Sequence, residues 1–309
     1  MNPFISICIP AYKNREYLDI LFRSIEMQTF RDFEVVVTDD SPDDEVVNIF
    51  RDYESKFPIR YQKNLPVKGS PANWNESIAL AKGLWIKLMH DDDWFSSADS
   101  LELFAKATKE HPEAGFIFSG YDDYEDGKLK YRNILSERIK KKLSASALNL
   151  FITNYIGNPS TTLIKNDLPE WYDEKLKWVV DFEFYLRCLQ QKKLYGIPEV
   201  LVNVGIHQEQ ITKAVFRKRD VEIPENIHML NKLGPAVLKK VVVYDYYWRL
   251  FRNLDIRSTR EVKDNAGSIP VPPEIEKMLK MQLRIPLPVL RVGFLSKTCM
   301  FISYLRNII

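Results

Sequence analysis

"FISICIPAYKNREYLDILFRSIEMQTFRDFEVVVTDD", residues 4–40, reads as strand, helix, strand. The apolar run 4–10 stops at Pro10, as expected of a strand buried on both faces. Tyr17, Leu18, Leu21, Phe22 and Ile25 then fall at helical spacing within 14–28. The β-branched run 33–40 ends on two aspartates, Asp39 and Asp40.

The same alternation continues outward. A helix is predicted over 44–56, a short strand over 59–64, a helix over 71–83 closed by Gly83, and a strand over 84–90. A helix over 97–112 with a proline stop and a strand over 115–120 follow. Strands alternating with helices predict a parallel sheet covered on both faces, and such sheets bind ligands outside the carboxyl ends of their strands. Asp39 and Asp40 close one strand, and Asp91, Asp92 and Asp93 close another. Both groups are therefore expected at one edge of the sheet.

The second half is less regular. Residues 130–144 are charged and read as a loop or an exposed helix, and 158–167 hold a short strand. A helix is predicted over 181–193 and a strand with a polar turn over 200–212. Helices are predicted from about 225, with a break at Pro270, Pro272 and Pro273.

Composition sets wide bounds. The 309 residues are 45% hydrophobic and 28% charged, as in ordinary globular proteins, and the net charge of +2 supplies no reason to expect a nucleic-acid partner. Cys8, Cys188 and Cys299 are odd in number and widely spaced, which points away from a disulfide framework or zinc cluster and toward a reducing compartment. "MNPFISICIPAY" lacks a basic start and reads as a first strand rather than a signal peptide. From Leu283 onward there are four basic residues and no acidic one, which leaves the rest of the chain at −2. That tail is too interrupted by Arg291, Lys297 and Arg306 for a membrane span. It is either an amphipathic helix on an anionic membrane surface, which the missing acids favour, or a terminal helix packed on the body or on another subunit.

The chemistry concentrates in "WIKLMHDDDWF", residues 85–95. Three adjacent carboxylates repel one another, so they form a solvated turn capping the next helix, or they seat a cation. Magnesium and manganese take one or two carboxylates and complete their shells with substrate phosphates. Asp39 and Asp40 are either turn formers or acceptors for a nucleobase N–H.

"ISICIPAYKNREYLDILFRSIEMQTFRDFEVVVTDDS" followed by "NWNESIALAKGLWIKLMHDDDWF" closely resembles the family 2 glycosyltransferases of the GT-A fold, over roughly residues 4–212. The resemblance rests on Pro10 and Tyr12, the QTF…FEVVV-DD block, Asn73 and Asn75, and the DxD-type cluster. It implies a Rossmann-like, mostly parallel sheet flanked by helices, with a helical C-terminal extension. The implied catalytic domain is 1–215, its nucleotide-sugar half about 1–120 and its acceptor half about 121–215, followed by a helical region 216–309 carrying the basic amphipathic tail. By resemblance, Pro10, Ala11, Tyr12 and Asp40 surround the nucleotide base, and Asn75, Asp91 and Asp92 bind the sugar nucleotide. Asp92 and Asp93 match the paired aspartates of the metal motif, and His207 the late histidine near metal or diphosphate. Asp181 matches the catalytic base, with Trp178 as an acceptor contact. On the residues alone, Asp181 is equally a helix N-cap and His207 a structural histidine. Three positions depart from the family pattern: Lys13 precedes Asn14, Ser41-Pro42 replaces a glycine, and His90 stands in place of a first aspartate.

The implied activity is transfer of a sugar, with inversion, from a UDP-, dTDP- or GDP-sugar to a hydroxyl of a saccharide or lipid-linked saccharide. It would require Mn²⁺ or Mg²⁺ and act in surface polysaccharide biosynthesis in the cytoplasm or at the inner membrane face. A sugar-nucleotide nucleotidyltransferase is the rival enzyme, but its Gly-rich loop after the first strand is missing from "PAYKNREY". A non-catalytic saccharide-binding protein is the other.

Overall fold

A computed structural model describes residues 2–207 and 215–308. The nine described strands form one sheet in the order β3-β2-β1-β4-β8-β6-β9-β5, with β7 paired to β6. They are β1 Ile5–Ala11, β2 Phe33–Asp39, β3 Ile59–Lys63, β4 Trp85–Leu88, β5 Asp93–Phe95, β6 Ala114–Glu125, β7 Lys128–Asn133, β8 Thr162–Lys165 and β9 Lys193–Ile206.

The frame of the site is the parallel set β3-β2-β1-β4. Every residue of β1 and β2 is buried, because helices cover both faces, and that is why these strands are largely apolar rather than alternating, with the buried Ser6 hydroxyl donating to Glu34 at 2.7 Å. Helix α1 (Arg15–Glu26) seats Leu18, Leu21, Phe22 and Ile25 against them. Helices α2 (Glu45–Tyr53), α3 (Ala72–Ala79) and α4 (Ser100–Glu110) follow in the crossovers. Ala11 lies opposite Asp39 and Cys8 opposite Leu88, so β1, β2 and β4 deliver Tyr12, Asp40 and His90–Asp93 to one edge.

Beyond β4 the sheet turns antiparallel through β8, and the short strand β5 pairs antiparallel with β9. β9 starts seven residues before the predicted strand. Pro198, which lacks an N–H to donate, falls where the β6–β9 register jumps from Ile197 to Val200. The segment read as a loop or an exposed helix begins in strand β7 and ends as the largely exposed helix α5 (Glu137–Ala145). Asp126 and Gly127, both at positive φ, make the two-residue turn joining β6 to β7.

The chain divides into two compact units. The first holds the described chain up to Ala147, Tyr155–Glu174, and Phe184 through His207. The second holds Leu148–Asn154, Lys175–Glu183 and the described chain after residue 214. Helix α6 (Val180–Gln191) starts in the second. The second unit also contains α7 (Arg219–Leu233), α8 (Val241–Asn253), α9 (Thr259–Ala266), α10 (Pro273–Gln282), α11 (Leu287–Arg291) and α12 (Gly293–Asn307). Pro272 and Pro273 start α10, where a fixed φ and a missing N–H are harmless. No described helix is long and apolar enough to cross a membrane.

Candidate active site

The three aspartates after β4 point to three different partners. The backbone N–H of Tyr12 donates to Asp91 Oδ2 at 2.8 Å. Asp92 Oδ2 lies 3.0 Å from His207 Nε2. Asp93, fully buried, accepts the Gly205 N–H at 3.1 Å and the Asn158 amide at 2.7 Å. This division of labour explains how the run folds, with three carboxyl groups held close together. Burial, reinforced by the charge of Asp92, pushes the carboxyls of Asp91 and Asp93 upward. Lys87, wholly buried on β4, donates to the Ser160 carbonyl and lies 4.7 Å from the Phe104 ring. Burial lowers its ammonium to about 7 against the pull of Asp93.

His90, Asp92 and Asp93 offer ligand atoms that all lie within 4.8 Å of one another. The backbone N–H of His90 is held by Ser160 Oγ at 2.9 Å, and its ring lies 4.7 Å from that of Trp74. Burial lowers its pKa, which favours the neutral imidazole that binds metals. Its Nε2 is buried without a hydrogen-bond partner among the described residues. A buried nitrogen left unpaired is costly, and an imidazole beside two carboxylates suits a divalent cation. The donor set therefore fits the metal that the resemblance implies.

The predicted nucleotide residues join this network. Pro10 and Ala11 are buried at the end of β1, whereas Tyr12 is 52% exposed. Lys13 and Asn14 follow at φ 60 and 53, a left-handed pair that costs roughly 1–3 kcal/mol per residue and is retained only where the surroundings impose it. Ser41 Oγ accepts the Lys13 N–H, and Ala11 O accepts the Asp40 N–H. The Asp40 carboxylate is drawn into the loop after β3, taking the amide of Asn64 (2.8 Å) and the N–H groups of Lys68 (3.1 Å) and Gly69 (2.7 Å). Asn73 donates to the Ala11 and Thr38 carbonyls, tying β1 to β2. Asn75 instead exchanges hydrogen bonds with the backbone of Tyr172. Pro10–Tyr12, Asp40, Asp91–Asp93 and His207 thus share one edge, while Asn75 faces the 172–174 loop. The polar turn predicted after His207 lies outside the described residues.

Asp181 and Trp178 belong to the second unit. Asp181 Oδ1 accepts the Phe182 N–H at 2.8 Å and Oδ2 the Asn154 amide at 3.2 Å. Burial raises its carboxyl to about 6. Sequence left open whether Asp181 caps its helix. Its Oδ1 takes a first-turn N–H, that of Phe182, while Glu225 on α7 accepts the N–H groups of the three residues just before the helix, Lys177 (2.9 Å), Trp178 (2.7 Å) and Val179 (3.1 Å). The Trp178 ring packs on Phe216, centroids 5.8 Å apart.

Sequence reasoning passed over Glu225 and Gly205. A Cβ at Gly205 would lie 2.3 Å from the Asp92 carbonyl oxygen, so only glycine lets β9 approach the acidic turn. A glycine inside a strand was the available signal. Glu225 carried none, because a carboxylate within a helix ordinarily looks like a surface charge.

Residues 6–167 match the family model described as "Glycosyl transferase family 2". The chain is 23% identical over 239 residues to the chondroitin synthase of Escherichia coli, covering 74% of this chain and 32% of that longer protein. Among solved structures, S. aureus TarS 1–349 in complex with UDP-GlcNAc aligns with TM-score 0.66 at 17% identity, covering 98% of this chain and 92% of that one. The mannosyltransferase PcManGT from Pyrobaculum calidifontis, in complex with GDP-Man and Mn²⁺, aligns with TM-score 0.57 at 13% identity, covering 99% and 87%. At these identities the structural likeness establishes the fold, which is GT-A.

Proposed function

The chain belongs to glycosyl transferase family 2, and from that premise we propose an inverting, metal-dependent transfer of sugar from a nucleotide-diphosphate donor to a saccharide or lipid-linked saccharide hydroxyl. The reading extends to surface polysaccharide biosynthesis in the cytoplasm, where free thiols persist. One observation carries it: a crowded, buried acidic turn with an unpaired His90 nitrogen, hydrogen-bonded through Asp91 to the Pro10–Tyr12 loop.

In this reading Pro10, Ala11, Tyr12 and Asp40 shape the seat of the nucleotide base, and Asp91 fixes that loop through the Tyr12 N–H. Asp92 belongs both to the His90–Asp92–Asp93 group and to the pair with His207, so it is the first choice as ligand to Mn²⁺ or Mg²⁺. His90, kept neutral by burial, and His207, 3.0 Å from Asp92, are the nitrogen ligands offered beside it. Asp93, with its oxygens on Gly205 and Asn158, mainly anchors the turn. When bound, a divalent ion supplies Lewis-acid neutralisation of the diphosphate leaving group. Asp181 accepts the proton of the acceptor hydroxyl, a form of help worth roughly 10²–10⁴-fold. A carboxyl raised to about 6 is ionised at neutral pH yet more basic than an ordinary aspartate. One base and direct displacement would invert the anomeric centre. Trp178 is assigned to the acceptor.

Incubating the protein with a panel of UDP-, dTDP- and GDP-sugars, with and without Mn²⁺, tests the proposal. Slow metal-dependent release of nucleoside diphosphate from one donor is expected. Release of pyrophosphate, or synthesis of a sugar nucleotide from a nucleoside triphosphate, would overturn it in favour of a nucleotidyltransferase.

A further inference from the structure

Helix α12 is built inside out. Its buried side carries Ser296, Met300 and Ser303, with Asn307 half-buried beside them. Ser296 Oγ accepts from Trp248 Nε1 and Arg252 Nη1, each at 3.1 Å, and Ser303 Oγ lies 2.7 Å from the Tyr244 hydroxyl. The large apolar side chains point the other way: Phe294 is 80% exposed, Phe301 50%, Ile302 46%, Leu305 44% and Leu295 42%. At 100° per residue these five occupy one continuous stripe, with Lys297 on one flank and Arg306 on the other. A helix that only packed on its own unit would turn the opposite face outward.

The surroundings of the stripe say what it meets. The Tyr304 hydroxyl donates to the Lys239 carbonyl at 2.7 Å, which brings the exposed Lys239-Lys240 corner beside the helix. With Lys297, Arg306 and exposed Arg291, the rim is basic, and residues 283–309 contain no acid. Two copies apposed through this face would bring basic rims together, which disfavours self-association. A helix of 15 residues is about 22 Å long, too short for the roughly 30 Å hydrocarbon core but suited to lying in the headgroup plane. We propose that the α12 face docks the protein on an anionic lipid bilayer, with Phe294, Phe301 and Leu305 inserted among the acyl chains and Lys297, Arg306, Lys239 and Lys240 on the lipid headgroups. This goes beyond the transferase reading and does not depend on it.

The test is sedimentation of the full chain with vesicles of phosphatidylcholine alone or with about a third phosphatidylglycerol. Binding to the anionic vesicles, weakened by high salt, is expected. Each basic residue near such a surface is worth roughly fivefold in partition, so Lys297→Gln/Arg306→Gln loses roughly 25-fold. Phe294→Ser/Phe301→Ser loses at least about tenfold, and a thermal melt matching the wild type shows that the fold is intact. If that double variant misfolds, the charge pair carries the test alone. Equal, salt-insensitive partition into both vesicle types overturns the proposal. So does a wild-type dimer in solution that fails to bind vesicles and that Phe294→Ser/Phe301→Ser converts to monomer. Sedimentation needs no sugar nucleotide, so its result is separate from that of the donor panel.

Discussion

Replacing Gly205 by alanine places a β-carbon 2.3 Å from the backbone carbonyl oxygen of Asp92. A carbon–oxygen contact relaxes only at roughly 3.3 Å, so β9 and the acidic turn must separate by about 1 Å. The obstacle is backbone, with no flexible side chain to swing aside. Forcing a close-packed interior apart in this way costs about 1–3 kcal/mol. At about 2–4 °C per kcal/mol for a unit of this size, the melting temperature falls by roughly 2–12 °C. The displaced groups are Asp92 itself and the Gly205 N–H that holds Asp93, so the turn loses its alignment as well as its packing. A misplacement of 1 Å can cost on the order of 10²-fold in rate. The assay pairs a thermal melt with Mn²⁺-dependent hydrolysis of the sugar nucleotide selected from the panel. Gly293→Ala is the control: nothing lies within 4 Å of its added methyl, and it should melt at or slightly above the wild-type temperature. A Gly205→Ala protein melting with the wild type would refute the close approach of β9 to Asp92. A protein that melts lower but keeps full metal-dependent hydrolysis would leave the packing argument standing and remove Asp92 from the metal.

Asp92→Ala is expected to weaken Mn²⁺-dependent nucleotide binding by at least about tenfold, since metal sites depend on each directly bound carboxylate; titration calorimetry with and without Mn²⁺ measures it, and an unchanged metal requirement rules the role out. Asp181→Asn should retain nucleotide binding and lose transfer by about 10²–10⁴-fold, with the wild-type rate falling as pH drops below about 6. The same variant should gain stability relative to the wild type as pH rises. Burial raises the folded carboxyl to about 6, against about 3.9 unfolded, so wild-type stability is lost as pH rises between them, on the order of 3 kcal/mol by pH 7. A difference between the melts of Asp181→Asn and wild type that moves in the variant's favour from pH 4 to pH 7 checks the sign. Glu225→Gln replaces an anion taking three N–H groups with an amide whose own donors oppose them, and should destabilise by about 1–3 kcal/mol. Chemical denaturation reads that loss, and a stability equal to wild type would show that the helix start is held in another way.

The parallel frame was legible because its signals are local. Burial on both faces makes β1 and β2 largely apolar, and a strand that ends on aspartates announces the edge where polar groups gather. What escaped were features set by pairing partners. β5 is three residues long and is a strand only because β9 runs beside it. The start of β9 hid behind Pro198, which the sheet absorbs in a register shift. Strand β7 is exposed almost throughout, so no buried face imprinted alternation on it, and the Asp126-Gly127 turn was its one readable mark.

The same distinction runs through the site. Asp91, Asp92 and Asp93 stand out as a run, yet nothing in the run tells that the first holds a loop, the second a histidine and the third a strand. Those roles are assigned by residues 79, 115 and 112 positions away in the chain. In the sequence His90 is a departure from the family pattern, standing where a first aspartate is usual. In the fold it supplies the unpaired buried nitrogen, and a neutral donor beside Asp92 and Asp93 limits the like-charge repulsion that a fourth consecutive carboxylate would add. Substituting aspartate for His90 would restore the family's residue and crowd four acids into this pocket. Without a cation such a turn should be less stable than the wild type, so the departure is better understood as part of how this chain tolerates its own acidic cluster.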